Sequence, residues 1–250
     1  MTLNFITLTA AVSLALASAA SAATVNGTGN VTPDVIFGSG NANGSFTGVA
    51  ANALELGLRA KLRYDLSGHP QNIFNYDGNH TYTFNPALSH APTNRSVFNF
   101  EWAINSNVSG AGSALSGLVF KIDVDTDPTV NVGSLVSYNP LSAISTGYYL
   151  GTNVSGNGGA SFYAGGAGPL SVANVAQNSV NLGFLPGADL GNGQYTISLF
   201  AYLPGTRTPY ASTSIDVIVG APAAIPLPAG LPLLASALSG IALLRRRKRA

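Results

Sequence analysis

From Ala53 to Leu66 apolar and polar residues alternate almost without a break. Leu54, Leu56, Leu58, Ala60, Leu62, Tyr64 and Leu66 interleave with Glu55, Gly57, Arg59, Lys61, Arg63 and Asp65. Successive side chains on a strand point to opposite faces, so a period of two held this long predicts a half-buried antiparallel strand. A helix would spread Arg59, Lys61 and Arg63 around most of its circumference, and Gly57 would weaken it further. Ser96 to Asn105 obeys the same rule, with Phe98, Phe100, Trp102 and Ile104 on one face and Asn99, Glu101, Ala103 and Asn105 on the other.

Further strands are predicted at Tyr82–Phe84, Leu118–Val124, Val180–Leu185, Gln194–Leu203 and Ser212–Val219, with weaker signals at Val31–Phe37 and Ser45–Val49. They are rich in Val, Ile, Phe and Tyr and bounded by Gly, Pro or Asn. No amphipathic helix accompanies them, so the expected class is all-β: a single antiparallel β-sandwich, with jelly-roll order among the arrangements open to it. The chain has no cysteine, so disulfides and Cys-ligated metal centres are excluded. No fixed-period repeat is present, which argues against a solenoid or propeller.

The two ends read as targeting segments. Phe5 to Ala19 is apolar and uncharged, and Ala20-Ser21-Ala22 supplies the small residues that a signal peptidase accepts. Residues 1–22 are therefore expected to be a signal helix, with signal peptidase as its partner. At the other end, Ile225-Pro226-Leu227-Pro228-Ala229 precedes an apolar run to Leu244 and then Arg245, Arg246, Arg247, Lys248 and Arg249. Residues 229–244 form a short candidate transmembrane helix of about 24 Å, against a hydrocarbon core of about 30 Å. The basic run acts as a stop and should stay cytoplasmic, with residues 23–222 across the membrane.

This order of motif, apolar span and basic stop resembles the PEP-CTERM sorting tail, in its VPLPA-CTERM variant, with Ile225 in place of Val. The resemblance covers residues 225–250. It implies a Gram-negative envelope protein whose tail, residues 223–250, is recognised by an exosortase-like membrane protease. It implies passage through the inner membrane to the cell surface or extracellular matrix. The middle of the chain resembles domains without assigned activity that precede such tails, in Leu54–Lys61, Phe100–Asn105 and Val175–Ser179, and transfers no site residues.

Five of the eleven basic residues sit in the terminal run, leaving six against ten acidic residues, a net charge of −4. So few cations neutralise few phosphates, which argues against nucleic-acid binding. Asp123, Asp125 and Asp127 alternate at a predicted strand end, a pattern suited to a Ca²⁺ ion. An EF-hand is excluded, since Pro128 and Ser134 stand where its Gly and Glu belong. The plainer account is three solvent-side carboxylates ending a strand.

His69, His80 and His90 have spacings that match no common zinc motif. Glu55 and Glu101 would serve glycosidase chemistry only if their strands paired with the carboxylates facing each other. Surface ion pairs with Arg or Lys across a sheet are the expectation instead. No nucleophile elbow or P-loop is present. Tyr148, Tyr149, Phe162, Tyr163, Tyr202 and Tyr210 fall near predicted loops or strand ends; Tyr148, Tyr149 and Tyr163 are the candidates for stacking on a glycan. The leading expectation is a non-enzymatic surface or matrix protein of structural or adhesive type. An exopolysaccharide-binding module comes second and an envelope hydrolase third.

Overall fold

The computed structural model describes residues 23–32, 41–129, 134–142, 147–153, 160–163 and 168–220. The expected signal segment, the motif at 225–229, the span at 229–244 and the basic run at 245–249 lie outside the described residues, as does most of the weak strand signal at 31–37. No helix among the described residues is long and apolar enough to cross a membrane.

Among the described residues the chain forms thirteen strands: β1 (Ala23–Gly29), β2 (Phe46–Ala51), β3 (Leu54–Tyr64), β4 (Pro70–Ile73), β5 (Thr81–Phe84), β6 (Phe98–Asn105), β7 (Val119–Asp125), β8 (Leu135–Tyr138), β9 (Tyr148–Gly151), β10 (Ser161–Tyr163), β11 (Val175–Asn181), β12 (Gly193–Tyr202) and β13 (Ala211–Val219). They assemble into two sheets. The larger has the order β1-β2-β3-β6-β11-β9-β10, with β4 also paired to β3; the smaller has the order β5-β13-β12-β7-β8. The fold is all-β. One expectation is corrected: β5 runs parallel to β13, so the smaller sheet is mixed rather than purely antiparallel.

The sheets share one apolar core. From the larger come Leu56, Leu58, Ala60, Phe98, Phe100, Trp102 and Ile104; from the smaller come Phe120, Ile122, Val124, Ile197, Leu199, Ile215 and Val217. Register places Leu58 opposite Trp102 and Ala60 opposite Phe100, so the two apolar stripes read from sequence meet on one face. Each such Leu, Ile or Phe contributes about 1.5–3 kcal/mol on full burial.

The outer faces of the two sheets differ. In β12 and β13 buried and wetter residues alternate regularly. In β6 all eight residues are buried, and in β3 burial is nearly continuous. The half-buried reading of β3 and β6 is therefore corrected, because a layer of loop covers the polar face as well. Asn41 to Ser45 and Phe74 lie over that face, together with Val31 and Phe46, which form a second small apolar cluster with Ala103. Gly57 is required beneath it, since a Cβ there would come within 2.6 Å of Val31 Cγ1.

Smaller differences have local causes. The predicted strand at Val180–Leu185 is the end of β11 followed by a 3-10 turn, Leu182–Phe184, because the Asn181 side chain accepts from Gly183 N–H and turns the chain. Ala53 lies outside β3. It forms with Asn52 the two-residue turn of the β2–β3 hairpin, both at positive φ, +47° and +67°, as the twist of a tight hairpin demands.

Candidate functional site

Arg59, Lys61 and Arg63 occupy alternate positions of β3 and so share its outer face. Glu101 on β6 stands directly opposite Arg59. Its Oε2 lies 2.5 Å from Arg59 Nε and its Oε1 2.5 Å from Lys61 Nζ. Arg59 also donates to the carbonyls of Ala42 and Gly44, and its guanidinium is held between the rings of Phe46 and Phe74, 4.3 and 4.5 Å from their centroids. Lys61 Nζ donates further to the side-chain oxygens of Asn41 and Asn72. The expectation of a surface charge at Glu101 is thus corrected: it is fully buried. Its partners are the Arg and Lys that cross-strand pairing predicts.

Burial alone would raise the Glu101 pKa, but Arg59 and Lys61 overcome this and hold it below the usual carboxylate value. Desolvation lowers the Lys61 pKa, with Glu101 pulling it back up. Glu55 differs. Burial raises its pKa against a 2.6 Å hydrogen bond donated by Thr32 N–H. Its strand does pair with that of Glu101, yet Glu55 stands opposite Asn105 and Glu101 opposite Arg59. The two glutamates are out of register with each other.

Beside the ionic cluster lies a groove of about 590 Å³, within the range that small-molecule and oligomer sites occupy. Among the described residues β9 pairs with β11 through Val175, Ala176 and Gln177, and β6 pairs with β11 as far as Asn181. Aromatic residues on the groove are Tyr64, Tyr149, Phe162 and Phe184. Tyr149 and Phe162 meet at 4.9 Å between ring centroids, and Phe162 and Phe184 are about half exposed. The polar lining is tied down: Asn99 donates to Ser179 Oγ and accepts from Asn181, which also donates to the Ser96 and Phe98 carbonyls.

The three tyrosine candidates separate. Tyr149 lines the groove. Tyr163 is partly buried, its ring 6.3 Å from that of Tyr148. Tyr148 is turned into the core, 1% exposed, with its hydroxyl accepting from Gly168 N–H; it offers no face to a ligand. Phe162, Phe184, Tyr64, Asn99, Ser179 and Asn181 complete the site. Of these only Phe162 stood out in the sequence, because the others come together through register between strands far apart in the chain. Tyr202 lines a separate hollow of about 460 Å³ on the smaller sheet, with Tyr138 and Leu203.

The aspartates at the end of β7 are engaged locally, and the solvent-side reading is corrected for Asp125, which is buried. Asp123 pairs with Lys121 at 2.7 Å and accepts from Ser137 Oγ; Asp125 accepts from Asp127 N–H and Asp127 from Thr129 N–H. Among the described residues no three His, Asp or Glu side chains gather as a metal-holding group. His69 lies 3.7 Å from Asp65 and His80 3.4 Å from Asp216. His80 shares a hollow with Ser198 and Ser214, but those hydroxyls bond to each other and to the Ile197 carbonyl.

Neither a known protein family nor a curated protein matches the chain.

Proposed function

We propose that this is an exported, non-enzymatic surface or extracellular-matrix protein of structural and adhesive type, and that a single β-sandwich ectodomain adheres by binding polysaccharide in the groove beside Arg63. The adhesive and the carbohydrate-binding readings then describe one activity. Export rests on the apolar segment before Ala22, and surface delivery on Ile225–Ala229 with the basic run behind it, read by a signal peptidase and an exosortase-like protease in turn.

The observation that carries the binding reading is the Tyr149–Phe162 pair at the rim of an amide-lined groove. Sugar rings present apolar faces and hydroxyl edges. Flat aromatic rings meet the faces, and fixed Asn and Ser groups meet the edges without a further ordering cost. The full-length chain in detergent, applied to a glycan array, should bind one or more polysaccharides and lose that binding in Phe162→Ala and Tyr149→Ala. Binding that survives both substitutions overturns the groove as the site. Sorting is tested by intact mass in the native host: a product ending near Ile225–Ala229 at the surface supports it, and a full-length form in the inner membrane overturns it.

A further inference from the structure

We infer that the groove selects anionic polysaccharide, and that Arg63 meets the carboxylate of an acidic sugar unit. The inference rests on the glycan reading above and adds the charge of the ligand.

Charge bookkeeping on the outer face of β3 leads there. Three of the six cations outside the terminal run, Arg59, Lys61 and Arg63, stand on this one face. Glu101 is shared by the first two. Lys61 directs its ammonium at Glu101, Asn41 and Asn72, and so has no donor to spare. Arg59 is sealed under the loop layer, 0% exposed. Arg63 differs from both: half-buried, lining the groove, its guanidinium 5.7 Å from the Tyr64 ring, it makes no ion pair among the described residues. Among the described residues no Asp or Glu lines the groove.

An excess of positive charge in a groove that no described carboxylate lines is out of keeping with the chain outside the terminal basic run as a whole, whose net charge is −4. That contrast has a physical consequence. Outside the terminal basic run, a polyanion is repelled by the acidic remainder and drawn to this place. A planar guanidinium suits a carboxylate in particular, through two parallel N–H···O bonds. A nucleic acid is a poorer fit, since one available cation neutralises about one phosphate, whereas firm non-specific binding takes several.

The test uses the full-length chain in detergent, with polygalacturonate and the same polymer after chemical reduction of its carboxyl groups. The wild type should bind the acidic polymer at least tenfold more tightly than the reduced one at about 0.1 M salt. With the basic run at 245–249 common to every variant, Arg63→Gln should reduce that preference several-fold while keeping the weaker binding to the reduced polymer. Arg63→Lys should restore part of it, and Arg207→Gln, on an exposed loop away from the groove, should change nothing. Equal affinity of the wild type for both polymers overturns anionic selectivity and leaves the glycan reading standing. Binding to neither overturns both. A preference undiminished in Arg63→Gln overturns the assignment to Arg63.

Discussion

Arg59 and Glu101 face each other across the β3–β6 ladder, guanidinium to carboxylate at 2.5 Å, with both side chains wholly removed from solvent. Lys61 completes the cluster from the next outward position. Such an arrangement holds only while every charge keeps its partner, because several kcal/mol of desolvation per ion must be offset by close contact.

Glu101→Gln should therefore destabilise the protein by about 3–5 kcal/mol, since it strands two buried cations. Urea unfolding followed by the fluorescence of Trp102, the single tryptophan, measures this. Replacing all three residues together, as Arg59→Met, Lys61→Met and Glu101→Leu, should cost much less than Glu101→Gln alone. A triple variant as unstable as the single one would mean that the ions contribute more than their desolvation removes.

Stability on the acid side should pass through a maximum. The Glu55 pKa is raised above its ordinary value of 4.5, so the native state takes up that proton first and gains stability as pH falls towards 4.5. The Glu101 pKa is lowered below 4.5. Its contribution is complete above 4.5 and is lost as pH falls from there through the folded value. Melting midpoints from pH 7 to 3 should show a rise and then a fall, and Glu55→Gln should remove the rise and keep the fall.

Ala53→Gly should stabilise the β2–β3 hairpin. Ala53 sits at φ +67°, a conformation that costs an L-residue with a Cβ about 1–2 kcal/mol. Relief of that strain, less the added freedom of glycine in the unfolded chain, leaves a gain of about 0.5–1 kcal/mol. The midpoint should rise by about 1–4 °C; a fall would show that the methyl group carries packing worth more than the strain.

Gly147→Ala should weaken polysaccharide binding as well as the fold. Gly147 has φ +68°, which strains an alanine by about 1–2 kcal/mol, and a Cβ there would strike the Phe162 ring and come within 2.9 Å of the Tyr163 carbonyl oxygen. Since that ring is about half exposed at the groove, it can shift outward and leave Tyr149. The comparison is between affinity on the glycan array and the urea midpoint of the same variant. Unchanged affinity would remove Phe162 from the binding surface.

Millimolar Ca²⁺ should leave the melting midpoint where chelator leaves it. Asp123 is already held by Lys121 and Ser137, and Asp125 and Asp127 cap the following backbone. A ligand that bound only the native state would raise the midpoint by mass action; a clear rise would restore the carboxylates as a cation site.

What the chain decides by itself is the class of fold and the membership of its core. Alternation at Leu54–Tyr64 and Phe98–Asn105 assigns Leu58, Phe100 and Trp102 to one face whatever the topology, because side-chain direction along a strand has a period of two. The same period put Arg59, Lys61 and Glu101 on the other face, and opposite charges on neighbouring strands made their pairing foreseeable. That this second face is also dry was not legible. It depends on Asn41 to Ser45 and Phe74 folding back over the sheet, and nothing local in those segments records where they land. The groove belongs to the same category. Asn99, Ser179 and Asn181 adjoin only because β6 and β11 pair in one register out of several that would bury the same apolar residues. Tyr148 and Tyr149, adjacent and alike in sequence, part company because consecutive strand residues point to opposite faces. The tertiary structure alone decides which of those faces meets the core and which meets the groove.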